Sequence, residues 1–201
     1  MKTTVINIWI VLMLFLAWGV HAQEVEQKLD EARSEYKSGN LENARFALQQ
    51  ALQGINQAIG EEILGALPEK MGDMAAVAES DDVTGTNIGF AGLFVSRSYQ
   101  GEGADASIEI VSDSPMMAAI NSLLSMPVFM ASDPNQKRIK IDGYKGLLTR
   151  SESEEGPVSY DVQIPFGGSL LTFNTTGIDD EKQVTDMAES IPVSDIVKLA
   201  Q

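Results

Sequence analysis

The apolar residues of this chain change their pattern from Lys70, just beyond the Pro68 that ends a helix, and that change restricts the fold more than any other feature. Ahead of it they recur every three or four residues, as on the buried stripe of a helix. Behind it they alternate with polar residues, as on a strand with one wet face. Val25, Leu29, Ala32 and Tyr36 share one face and predict a helix over 24–37. Ser38-Gly39-Asn40 ends it, with Gly39 suited to the left-handed position after a helix and Asn40 to the next N-cap. A second helix carries Leu41, Ala44, Leu48, Ala51, Leu52, Ile55, Ile59 and Ile63 within one stripe. Gly54, Gly60 and Gly65 weaken it, so a break is expected near Gly60.

Beyond Pro68 a short strand is expected within 73–79. Ile88–Tyr99 and Ala104–Val111 follow as paired strands joined by Gln100-Gly101-Glu102-Gly103. Ser114-Pro115 opens an internal helix, Met116–Leu124, apolar nearly all round and closed by Met126-Pro127. Lys137–Ile141, Tyr144–Arg150, Val158–Ile164 and Ser169–Asn174 read as a meander, with Asp142-Gly143 a strong two-residue hairpin signal. Asp179 or Asp180 caps a helix running through Glu189, and a short helix follows at Val193–Ala200. The expected class is α+β: an N-terminal helical hairpin, then an antiparallel sheet of about six strands packed with an internal helix and C-terminal helices.

The extreme N-terminus belongs to neither pattern. Lys2 precedes a mostly apolar run, Val5 to Val20, and Val20-His21-Ala22 places small or branched residues at the −3 and −1 positions before Gln23. A charged start, an apolar middle and such an end predict a secretory signal peptide cleaved near Ala22-Gln23. The run falls short of the ~20 residues that span a bilayer, and no basic stop-transfer cluster follows it. The expected division is a signal peptide over 1–22, a hairpin over 23–67 and a sandwich domain over 68–201. The expected location is periplasmic or secreted in a bacterium, with no stable membrane insertion after cleavage. Removing 1–22 takes away the single His21 and both tryptophans, Trp9 and Trp18. It leaves 13 Lys and Arg against 29 Asp and Glu, or −16. That balance speaks against nucleic acid and anionic lipid as partners.

Ala32, Tyr36, Gly39, Ala44, Leu48 and Ala51 fall at or within one place of the packing positions of a tetratricopeptide repeat, which the hairpin resembles over about 30 residues. A single copy is visible, so the family's peptide groove, which needs several stacked repeats, does not carry over. The element order behind it, the strand–Asp-Gly–strand unit and the closing amphipathic helix resemble the PsbP-like α/β/α sandwiches. Together with the Leu67-Pro68-Glu69-Lys70 segment, the arrangement resembles uncharacterised exported bacterial proteins. That likeness implies a fold and no activity.

Without His or Cys the mature chain has no Ser-His-Asp triad, no cysteine nucleophile and none of the usual zinc, copper(II) or haem ligands. No metal site and no cofactor is expected. Ser34–Lys37 fits a Ser-x-x-Lys spacing but sits on a short helix remote from any oxyanion loop. Asp81-Asp82, Glu154-Glu155 and Asp179-Asp180 are paired carboxylates, all where turns or caps are expected. Asp81–Asn87 offers oxygens to calcium without the spacing of a calcium loop.

Two constellations remain. Met116, Met126, Phe129 and Met130 fit either core filling or an adaptable apolar site for a small molecule or a protein. Arg138, Lys140 and Lys145 form a cationic patch in an acidic chain, which fits either protection of a sheet edge or docking of an anionic partner. The function expected is therefore non-enzymatic binding of an unknown protein or apolar ligand. The alternative is a hydrolase relying on carboxylates, Ser or Lys.

Overall fold

A computed structural model describes residues 23–85, 92–112, 135–152 and 156–200. They form an α+β fold with four helices and one large antiparallel sheet. The chain separates into two compact units between Ala58 and Ile59.

The first unit holds α1 (residues 23–37), which turns back through Ser38-Gly39-Asn40 into α2 (Leu41–Ala66), a helix whose residues from Ile59 on belong to the second unit. Gly39 takes φ +81°. The Asn40 amide donates to the Glu35 carbonyl at 2.9 Å and the Ser38 amide to Ser34 at 3.1 Å, so the last carbonyls of α1 are satisfied as in a left-handed cap. The stripe read from the sequence resolves into two. Small residues line the seam with α1: Ala44, Ala47 and Ala51 are buried, and so is Ala32 across from them. A Cβ at Gly54 would stand 2.6 Å from a methyl of Val25, so the two helices approach closely there. The large residues Leu41, Leu48, Leu52 and Ile55 lie on the next face around and are exposed.

No break occurs at Gly60; the helix runs unbroken to Ala66. Gly60 is instead a packing residue. A Cβ there would meet Val83 at 2.4 Å and Leu93 at 2.8 Å, and only glycine lets the sheet come so near.

The second unit is built on a nine-stranded sheet, three strands more than expected. It opens with three short ones: β1 (Lys70–Met71), β2 (Met74–Ala76), which lies where a short strand was expected within 73–79, and β3 (Asp82–Thr84). Then come β4 (Leu93–Gln100), β5 (Asp105–Ser112), β6 (Gln136–Ile141), β7 (Tyr144–Ser151), β8 (Ser159–Phe166) and β9 (Ser169–Thr176). Their order is β1-β2-β4-β5-β9-β8-β7-β6, with β3 also on β4. The last four strands form the expected meander, and β9 joins it to β5. Asp142 (φ 46°) and Gly143 (φ 89°) make the tight turn between β6 and β7. Two helices close the chain, α3 (Glu181–Glu189) and α4 (Val193–Leu199). Asp180 caps α3, accepting from the Lys182 amide at 2.9 Å.

Strict alternation makes one sheet face a core. Ile108, Ile110, Val162, Ile164, Leu171 and Phe173 are buried in one cluster with Ile63 and Leu67 of the α2 end, Val184 and Met187 of α3, and Ile196 of α4. A buried ion pair fastens the entry to this sheet. The Arg97 guanidinium donates to both carboxylate oxygens of Asp81 at 3.0 and 2.7 Å and to the Leu67 carbonyl at 3.1 Å. Two residues along β4, the Tyr99 hydroxyl donates to the Pro68 carbonyl at 2.9 Å.

Candidate functional site

The opposite sheet face is mixed, because register stacks the outward residues of each strand into rows, and Phe94, Val111, Leu170 and Pro165 make one of them apolar. One row runs Ser98, Ser107, Asn174, Asp161 and Thr149 across β4, β5, β9, β8 and β7. A depression of about 460 Å³ opens at its start, lined by Ser98, Ser107, Asn174, Asp105 and Thr176 among others. Next along the row, Asp161 is half-buried and its Oδ1 has no hydrogen-bond partner. Burial pushes its carboxyl above the usual carboxylate range and Glu109 adds to the shift, while a hydrogen bond from Gln163 opposes it. Asp161 and Glu109 sit on strands separated by β9, so their backbones are about 10 Å apart or more. That is an acid in a polar trough, with Thr149 and Asn174 directly across from it on the neighbouring strands and no cation among the residues just named.

Of the paired carboxylates of the sequence, those of Asp81, Asp82 and Asp180 are engaged elsewhere. Asp81 is held by Arg97. Asp82 accepts from the Thr84 hydroxyl at 3.0 Å. The Asp179 carbonyl accepts from Tyr160, and Asp180 is the cap already described. Glu154 and Glu155 lie outside the described residues. Among the described residues no three acidic side chains converge as a metal site would require.

Met116, Met126, Phe129 and Met130, with the internal helix expected around them, also lie outside the described residues. The cationic patch lies within them. Arg138 and Lys140 project from one face of β6, the terminal strand of the sheet, and Lys140 is paired directly with Lys145 of β7. All three are exposed. Lys137 belongs to the other face and pairs with Glu181 at 2.6 Å. Like charges facing one another across strands cost a few tenths of a kcal/mol or more, and long cations on a terminal strand discourage sheet-to-sheet pairing.

The feature that sequence reading missed is on the hairpin. Every exposed large apolar side chain among the described residues lies between Leu29 and Ile55. Tyr36 is 69% exposed, Leu41 63%, Leu48 53% and Leu52 51%. Gln50, Gln53 and Gln57 of α2 share a small depression with Glu24 and Lys28 of α1, which fixes the polar flank of the hairpin. Stepping ~100° per residue around each helix, Leu29 and Tyr36 of α1 and Leu41, Leu48, Leu52 and Ile55 of α2 fall on the opposite flank. Charge is sparse beside this surface, and Arg45 is part of it. Between Glu42 and Glu61 the single charged residue is Arg45, in a chain of net charge −15. The signal was present in the sequence as the separation of Ala44, Ala47, Ala51 and Ala58 from Leu41, Leu48, Leu52 and Ile55, two stripes about a quarter-turn apart.

Among the described residues no helix is long and apolar enough to cross a membrane. No family model, curated protein or solved structure matches the chain.

Proposed function

We propose that this chain is an exported, non-enzymatic interaction module that docks a protein partner through the apolar flank of its helical hairpin. The observation that carries the reading is the concentration of exposed Leu29, Tyr36, Leu41, Leu48, Leu52 and Ile55 on one flank. Taking on the order of 150–200 Å² for a free side chain of this size, these six expose roughly 500–650 Å², at or above the largest apolar patch of an ordinary monomer. Leaving them in water forgoes about 25 cal/mol for each Å², a standing drive toward association. The small-residue seam supports the same reading. The buried seam residues are alanines, Ala32, Ala44, Ala47 and Ala51, and the leucines stand outside it. Export rests on the N-terminal pattern described above.

The test is sedimentation of the exported protein in extract of its own cell envelope, beside the variant Leu48→Glu/Leu52→Glu. The wild type is expected in a species heavier than one chain and the variant as a single chain with unchanged circular dichroism. A wild type that sediments as one chain contradicts the proposal.

A further inference from the structure

We infer that the occupant of the hairpin flank is a second copy of this chain, paired antiparallel along α2; this rests on the docking role just proposed. The spacing of the exposed residues selects a helix as partner. Leu41, Leu48, Leu52, Ile55 and Ile59 step by seven, four, three and four, and Arg45 fills the one remaining position. That is an apolar seam of period 3.5, the pattern that seats one helix against another. A helix that carries the matching seam is α2 of another copy, and a two-fold contact uses the same patch twice.

Direction follows from Arg45. Parallel pairing in register would set Arg45 against Arg45 inside the seam. Antiparallel pairing about Gln50 sets Leu48 against the partner's Leu52, Arg45 against Ile55 and Leu41 against Ile59. Every seam position then has a counterpart. The outer layer is the weaker one, since Ile59 already packs partly on the sheet core. The Arg45 stem lies along its layer while the guanidinium reaches water. Leu29 and Tyr36 of α1 stand beside the seam and extend the contact.

Area and charge agree with a copy as the occupant. With all six side chains of each flank covered, Leu29 and Tyr36 included, two copies bury about 1,000–1,300 Å² between them, which reaches the ~1,000 Å² of a specific interface. Residues 23–58 carry Lys28, Arg33, Lys37 and Arg45 against Glu24, Glu26, Asp30, Glu31, Glu35 and Glu42, or −2. The remaining acid of the chain lies beyond Ala58. Two copies thus meet through nearly neutral surfaces, and salt that screens the rest strengthens the contact.

The experiment is sedimentation velocity on the purified exported chain over the micromolar range. A reversible dimer is expected, tightened by added salt. Leu48→Glu/Leu52→Glu should weaken it at least about 100-fold, by setting carboxylates in the centre of the contact. Phe46→Glu, also exposed but roughly 160° around the helix from Leu48, should change it by less than about 3-fold. Circular dichroism keeps a loss of fold distinguishable from a loss of dimer. Because the chain has no cysteine, a mixture of Leu48→Cys and Leu52→Cys proteins reads the direction. The mixed disulfide should exceed either self-disulfide. A concentration-independent monomer overturns the inference, and so does a preference for self-disulfides. A monomer that nonetheless sediments heavily in envelope extract leaves the docking role standing with a different partner. A single chain in both settings removes the two together.

Discussion

Breaking the Arg97–Asp81 pair tests how the second unit is held, and its magnitude can be worked from the geometry. The side chains are 9% and 15% exposed, so the pair is close to fully desolvated. Asp81→Asn keeps the shape but leaves the guanidinium facing a neutral amide. Removing one partner of a buried pair costs about 3–5 kcal/mol, and the partial exposure of Asp81 lowers the expected loss to about 2–3 kcal/mol. Arg97→Met removes the charge and orphans the Leu67 carbonyl, which accepts from Arg97 at 3.1 Å; about 2–3 kcal/mol is expected there too. The double variant is the informative one. With both charges gone no buried charge is left uncompensated and only the neutral Leu67 carbonyl stays unpaired, so its cost should be about 3 kcal/mol, well short of the sum of the singles. The assay is urea unfolding followed by far-ultraviolet circular dichroism, with unchanged slopes required. Losses that add to within about 0.5 kcal/mol would show that the two side chains do not act as a pair, and would refute the reasoning.

Three further outcomes are expected. Gly60→Ala should destabilise by about 1–2 kcal/mol in thermal melts despite the better helix propensity of alanine, because its methyl would stand 2.4 Å from Val83; a stabilised variant would show that the sheet yields there. The Tyr99 phenol is pushed up to about 12, chiefly by burial. Its folded value lies above its unfolded one of 10, so its contribution is whole below pH 10 and is lost as pH rises from 10 to 12. Tyr99→Phe should flatten that alkaline loss of stability, and an unchanged profile would contradict the assignment. Intact mass of the exported protein should correspond to a chain beginning at Gln23; full-length protein in the membrane fraction would contradict cleavage.

Local chemistry was legible in the sequence where a single short segment decides the structure. Asp142-Gly143 reads as a tight turn because so few residue pairs accept left-handed backbone at successive positions, and both adopt it. Asp180 reads as a cap because a short acid before an apolar stripe can reach the amides of the first turn, and it does. Lys140 and Arg138 share a face because a strand alternates. Features made by distant segments were not legible. Arg97 and Asp81 are joined only when β3 registers on β4. The row from Ser98 to Asp161 exists only once four strands are aligned. β1 and β3 are two and three residues long, too short for any period to show. Gly60 was read as a weakness in a helix because its neighbours Val83 and Leu93 are far along the chain. The hairpin flank was half legible: its periodicity was plain, but eight apolar residues in one band could not show that alanines face inward and leucines outward.

The docking role of that flank is tested most directly by a photoreactive residue placed at Leu48 of the exported protein in its own host. Matched proteins carry it at Phe46 and at Arg138. Cross-linked product is expected at Leu48 and little at the other two sites, although Phe46 is as exposed as Leu48. Cross-linking at Phe46 or Arg138 with none at Leu48 would place the working surface elsewhere and contradict the account.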